Sequence, residues 1–234
     1  MDSTRFRWRE ACRPGIAAVR HSWPPILLIQ AAAACLVVAY YRSPGLQADL
    51  TSLEHFKANG GIAFDLYTGA LAGGVVPQLA KLVTGRAGKV SIGFWTQMLF
   101  AGLVYAIVGV EIDLFYHLQA AMFGTRNDVL TLVRKDLVDM GLFTPFLSIP
   151  TAVGLFEWRK AGFSFVGFVR RVRTGFYRSK VMPALIPCWV FWTPMLLCVY
   201  SMPSNLQFPL SQLAEASWAV LFIFIAGGEA EDRS

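Results

Sequence analysis

The chain has 234 residues, of which 55% are hydrophobic and 15% charged, with a mean hydropathy of +0.49 and a formal net charge of +6. So apolar a composition excludes an ordinary soluble domain of this length. The positive charge does not point to nucleic acid, because the basic residues lie between apolar runs instead of forming a groove interleaved with aromatics. The lipid bilayer and its anionic headgroups are the expected partners.

Residues 1–24 carry Arg5, Arg7, Arg9, Arg13 and Arg20 against Asp2 and Glu10, and Pro24-Pro25 then leads into the apolar run 26–41. A cleaved signal peptide or a mitochondrial presequence fits this less well than an uncleaved first helix. The apolar run exceeds a usual signal core, no clear cleavage site follows it, and two acids interrupt the basic stretch. Residues 42–61, with Pro44-Gly45 and Gly60-Gly61, read as a loop with a short surface helix over 50–57. The next expected span, 62–80, holds Gly69-Ala-Leu-Ala-Gly73, a spacing of small residues that lets two helix backbones approach closely. Thr84-Gly-Arg-Ala-Gly-Lys89 misses the spacing of a phosphate-binding loop and has Val90 at the hydroxyl position, so it reads as a basic turn.

An uncharged run over 90–110 predicts a further span, followed by Glu111, Asp113 and the aromatic pair Phe115-Tyr116. Residues 119–134 read as a loop with Gly124 and Asn127 as breakers. A span over 136–156 is interrupted by Pro145 and Pro150. Over 157–180, Phe and Val alternate with Arg and Lys, which suits an amphipathic helix lying among anionic headgroups.

The stretch 181–214 contains no Asp, Glu, Lys or Arg. As one helix it would extend roughly 51 Å, well past a hydrocarbon core of about 30 Å, so it must turn. Pro203, Ser204, Asn205 and Pro209 supply the break, leaving spans near 181–203 and 208–228, the first kinked by Pro183, Pro187 and Pro194. The expectation is an all-α transmembrane bundle of about six spans. Residues 1–61 form a basic segment, first helix and loop, 62–228 the main bundle and 229–234 a polar tail. Lys and Arg divide 16 to 5 between alternate loops, which places both termini on the positive-inside face.

Charged groups inside hydrocarbon are expensive and mark either a path or a paired structural site. The candidates are Asp65, Glu111, Asp113, Asp136, Asp139 and Glu215, with Glu215 deep in its span between Gln212 and Trp218. Lys135 and Asp139 are four apart and can touch on one helix face. Enzyme constellations are absent: His21, His55 and His117 are isolated from metal-ligand spacings, and no nucleophile elbow occurs. No catalytic residue, metal or cofactor is therefore expected. Cys12, Cys35, Cys188 and Cys198 form no CxxC pair and read as free thiols packing like small apolar residues.

The run Arg134-Lys-Asp-Leu-Val-Asp-Met-Gly-Leu-Phe-Thr-Pro145 resembles the Mpv-seventeen/PMP-twenty-two family of small mitochondrial inner-membrane and peroxisomal proteins with bacterial relatives. Lys135, Asp139, Phe143 and Pro145 match its motif, and Met140 replaces a Gln. The segment from Ala184 through Trp192, Pro194 and Tyr200 to Pro203 is similar to a second family signature, with Leu196 and Val199 in place of polar residues. Trp218 falls where the family carries a Trp, Phe115-Tyr116 resembles the pair closing its second helix, and Gly69 and Gly73 lie in a stretch like its first. The resemblance covers about 65–225 and leaves 26–41 as an additional helix. It implies a pore for small solutes or ions in a bacterial inner membrane or a mitochondrial or peroxisomal membrane. Asp139, Glu215 and Glu111 would then face its lumen. The alternative is a non-transporting protein that organises lipid or a partner subunit; a homo-oligomer is compatible with both.

Overall fold

The computed structural model describes residues 8–88, 90–173 and 175–231, with side chains from 15 to 221 apart from 18 and 21. Arg5, Arg7, Lys89 and residues 232–234 of the expected tail lie outside the described residues, as do the side chains of Arg9, Cys12, Arg13 and His21. Every element among the described residues is helical: α1 (Trp8–Arg42), α2 (Pro44–Ala70), α3 (Val76–Val83), α4 (Ile92–Phe123), α5 (Val129–Val138), α6 (Ile149–Lys160), α7 (Phe165–Val172), α8 (Met182–Tyr200) and α9 (Ser204–Glu231). Three π-helical segments, Leu71–Val75, Asp139–Ser148 and Tyr177–Val181, join α2 to α3, α5 to α6 and lead into α8. Four stretches are long and apolar enough to cross a membrane, Ser22–Arg42, Ile92–Phe123, Val129–Lys160 and Tyr177–Tyr200, and they fit a membrane-embedded protein. The stretches 62–80 and 208–228 are helical but are not among those four.

Several boundaries differ from those read in the sequence, each for a local reason. Residues 44–60 are helix, not loop, because Ser43 caps the start by accepting from the Leu46 amide at 3.3 Å and Pro44 fits the first turn. The break expected at Gly60-Gly61 survives as a bend, with Gly61 at φ 48°, a conformation a side chain would disfavour. The expected loop over 119–134 shrinks to 124–128: Gly124, at φ 80°, ends α4, and Asp128 starts α5. The Asp128 carboxylate accepts from the Thr131 hydroxyl at 2.9 Å and the Thr131 amide at 3.1 Å, which hold its pKa below the ordinary value. The expected amphipathic helix over 157–180 is split, with only Phe165–Val172 forming α7 as an exposed, basic-ended turn of helix capped by Ser164.

The ten-residue π-helical segment after α5 contains Pro145. In a π-helical turn the amide of residue 145 would bond the carbonyl of residue 140, and proline has no amide hydrogen to give. The indole of Trp189 on α8 donates to the Met140 carbonyl at 2.9 Å instead, so a neighbouring helix satisfies the freed acceptor.

α2 and the π-helical segment Leu71–Val75 that follows it lie against α4 with almost no space between backbones. A Cβ on Gly69 would stand 2.4 Å from the Tyr105 carbonyl oxygen, one on Gly74 2.5 Å from Gly102 Cα, and one on Gly73 within the Tyr105 ring. α1 packs on α8, where Gln30 donates to the carbonyls of Val190 and Phe191 at 2.9 and 3.0 Å and Ile26 is buried in the core. That core centres on α8 and α9 and includes Phe191, Trp192, Leu196, Tyr200 and Phe208.

The bundle has two chemically distinct ends. At one, the Tyr41 hydroxyl donates to the Ser201 carbonyl at 2.5 Å and receives from Asn127 at 2.9 Å, tying together the ends of α1 and α8 and the turn before α5. At the other, Arg159 donates to Gln97 at 2.5 Å, and the buried Glu157 carboxylate accepts from Lys160 at 2.8 Å and from Arg171 at 2.9 Å, anchoring α7.

Gly69→Ala is expected to lower stability by about 1–3 kcal/mol through overpacking. Gly141→Ala, whose Cβ would meet nothing within 4 Å, is expected to cost nothing by comparison. Thermal unfolding in detergent compares the two. In the same assay Trp189→Phe is expected to cost about 1–3 kcal/mol by orphaning the Met140 carbonyl.

Candidate functional site

Asp139 is the first residue of the long π-helical segment and is 3% exposed. One carboxylate oxygen accepts from the Thr144 hydroxyl at 3.0 Å and the other from the Tyr200 hydroxyl in a short hydrogen bond. The wider π turn is what lets Thr144, five residues on, fold back over Asp139, since π-helical spacing sets residues five apart above one another. The direct Lys135–Asp139 contact expected from their spacing does not form. Lys135, 2% exposed, turns its ammonium over the Tyr200 ring at 5.7 Å, so the same tyrosine touches the cation with its face and the carboxylate with its hydroxyl.

Asp139 and Glu215 line one inner cavity of about 90 Å³. Its wall is contributed by α4, the π-helical segment, α6, α8 and α9, with Tyr105, Ser211, Cys188 and Trp192 among its polar and aromatic members. Trp218 also lines it and packs on Phe191 at 4.9 Å between ring centroids. Two of the positions where the sequence departs from the family motif, Met140 and Leu196, face this cavity, while Val199 faces an apolar hollow between α1, α8 and α9. Pro194 lies inside α8 and Pro203 in the turn before α9.

A second charged cluster lies nearer the end of the bundle bearing Ser201. Lys57 Nζ is 2.5 Å from Asp65 and 3.1 Å from Asp113, and all three side chains are largely buried. The bend at Gly61 brings Lys57 back against Asp65 on the same element, and α4 supplies Asp113. The Lys57 ammonium also stands over the Phe208 ring at 5.0 Å. Asp113 is within 3.4 Å of His117, whose own side chain is exposed. Lys57, Asp113, His117, Ser204, Asn205 and Gln207 border an outer cavity of about 230 Å³.

Other charged candidates sit apart from both cavities. Glu111 faces Thr151 on α6, with its Oε2 atom buried and without a hydrogen-bond partner, so it borders neither lining. Asp136 is buried with Oδ1 also unpartnered, and Gln119 donates to the carbonyl of the preceding residue, Lys135, at 3.2 Å. Among the described residues no three His, Cys, Asp or Glu side chains gather as metal ligands. The cysteines whose side chains are described, Cys35, Cys188 and Cys198, are free.

Lys57 and Tyr200 partner the buried charges and Tyr116 lines both cavities, and the sequence marks none of them as a charge partner. Lys57 ends the short surface helix expected over 50–57 within a polar stretch, and its only sequence signal is an acid eight residues on, beyond two glycines. Tyr200 and Tyr116 are ordinary aromatics by spacing. Comparison with protein-family models, curated proteins and solved structures gave no match.

Removing Lys57 would leave two carboxylates buried beside one another. Lys57→Met is expected to cost about 3–5 kcal/mol, and Lys57→Met/Asp65→Leu to recover part of that loss. Denaturant unfolding in detergent measures these together with Asp65→Leu; a double-variant loss equal to the sum of the two single losses would mean that the pair is not coupled.

Proposed function

We propose that the chain is a six-pass membrane protein whose interior forms a pore or channel for small solutes or ions. The observation that carries this reading is the convergence of Asp139 and Glu215, from elements 76 residues apart in sequence, on one cavity inside an apolar bundle. Buried carboxylates are costly among hydrocarbon, and bringing two into a shared cavity is what a hydrated path requires. The resemblance to the Mpv-seventeen/PMP-twenty-two family at 134–145 and 184–203 supports the same reading. In this arrangement α1, the α2–α3 segment from 62, α4, the stretch from α5 to α6, α8 and α9 each cross once. Both termini then lie with the basic loops and α7 on the positive-inside face of a bacterial, mitochondrial or peroxisomal membrane.

A second reading, a non-transporting protein that organises lipid or a partner, is favoured by α7. Phe165 and Val166 are 75% and 68% exposed beside Arg170 and Arg171, a surface suited to an anionic membrane face.

Purified protein in liposomes separates the two. The expected result is a solute or ion flux that is lost or changed in selectivity in the Asp139→Asn/Glu215→Gln double variant. Folded wild-type protein with no flux under any gradient would favour the lipid-organising role, and an unaltered conductance in the double variant would remove both carboxylates from the path.

A further inference from the structure

The inner and outer cavities share one lining residue among those described, Tyr116. It sits on α4 three residues after Asp113, which borders the outer cavity, and its ring meets that of Tyr200 edge to face at 5.2 Å. Tyr200 in turn donates to Asp139 of the inner cavity. The Tyr116 hydroxyl lies against Ser211, which also lines the inner cavity. The Tyr116 side chain is 6% exposed and forms part of the wall of both hollows.

We propose that Tyr116 is the partition between two chambers of one path, and that the path admits small cations and excludes anions and larger solutes. This rests on the pathway reading above and names its selecting residue and its class of cargo. Size sets the first limit. The inner cavity, about 90 Å³, is less than half the size of the outer one, about 230 Å³, so the inner chamber is the narrower part of the path. Charge sets the second. Among the described residues Lys57 is the one Lys or Arg bordering the outer cavity, and its ammonium is shared by two carboxylates, Asp65 and Asp113. The inner cavity is lined by Asp139 and Glu215 and by no Lys or Arg among the described residues. The buried ammonium of Lys135 is turned onto the Tyr200 ring and borders neither cavity. A negative ion would meet carboxylates in both chambers, whereas a cation would be attracted in each.

Cys188 lines the inner cavity and is 5% exposed, so it reports on entry without requiring conductance. The test uses the full chain in liposomes with Cys12, Cys35 and Cys198 replaced by Ala. Two thiol reagents of similar size and opposite charge are compared, ethylammonium and sulfonatoethyl methanethiosulfonate. Tyr116→Ala is expected to speed labelling of Cys188 by the cationic reagent about tenfold, the effect of lowering an entry barrier by roughly 1.4 kcal/mol. The anionic reagent is expected to stay slow. Tyr116→Leu, which keeps an apolar filler, repeats the measurement if the alanine variant does not elute as folded protein. Potassium flux measured on the same vesicles is expected to rise in parallel. Labelling unchanged by both substitutions would overturn the partition, and equal acceleration by the two reagents would overturn the charge preference. Accelerated cationic labelling with no potassium flux in any variant would leave the two chambers joined at Tyr116 and refute the pore reading alone.

Discussion

An ionised group drawn into an apolar bundle must meet a donor, an opposite charge or water, and much of this structure follows from that demand. Asp139 meets it through Thr144 and Tyr200, and Lys57 through Asp65 and Asp113. Each solution fixes the placement of helices. Tyr200 must stand at the end of α8 to reach the π-helical segment, and α2 must bend for Lys57 to return to its acid. Hydrophobic contact alone would not choose among the ways apolar helices pack in lipid, where tails are as apolar as the side chains. The polar contacts supply that choice.

Backbone irregularity is the means by which the contacts are reached. The segment Asp139–Ser148 departs from α-helical spacing where Asp139 and Pro145 fall together. Its wider turns bring Thr144 over the carboxylate and leave the Met140 carbonyl for an indole from α8. A regular helix through these residues would satisfy its own backbone less well at the proline and would turn Thr144 away from Asp139. The opposite extreme occurs where α2 and the π-helical segment after it meet α4, and Gly69 and Gly74 allow backbones to touch and leave no room for a side chain.

The sequence made the helical class, the apolar stretches and the close-packing glycines readable, because each is a local pattern of residue type and spacing. It also marked Asp139 and Glu215, since a carboxylate within an apolar run stands out without knowledge of its neighbours. Their meeting in one cavity was not readable, nor was the retreat of Glu111 to Thr151, because both depend on how helices rotate against one another. Lys135 shows the limit of spacing rules. A separation of four residues permits contact with Asp139, but Tyr200 from a distant helix offers the cation a ring and the acid a hydroxyl. Helix ends were misplaced where capping decided them: Ser43 and Asp128 start helices inside stretches whose polarity suggested loops.

The pairing of Lys57 with Asp65 joins two residues of one element, eight positions apart across the bend at Gly61. A nascent chain emerging in order would therefore hold acid and base together before α4 is made, so the segment could enter the membrane with its two charges already neutralising one another. Asp113 joins later, when α4 packs beside α2. A cation supplied by a more distant helix would have left Asp65 unpaired throughout that interval. Placing the partner locally makes the order of synthesis compatible with the order in which buried charges must be satisfied.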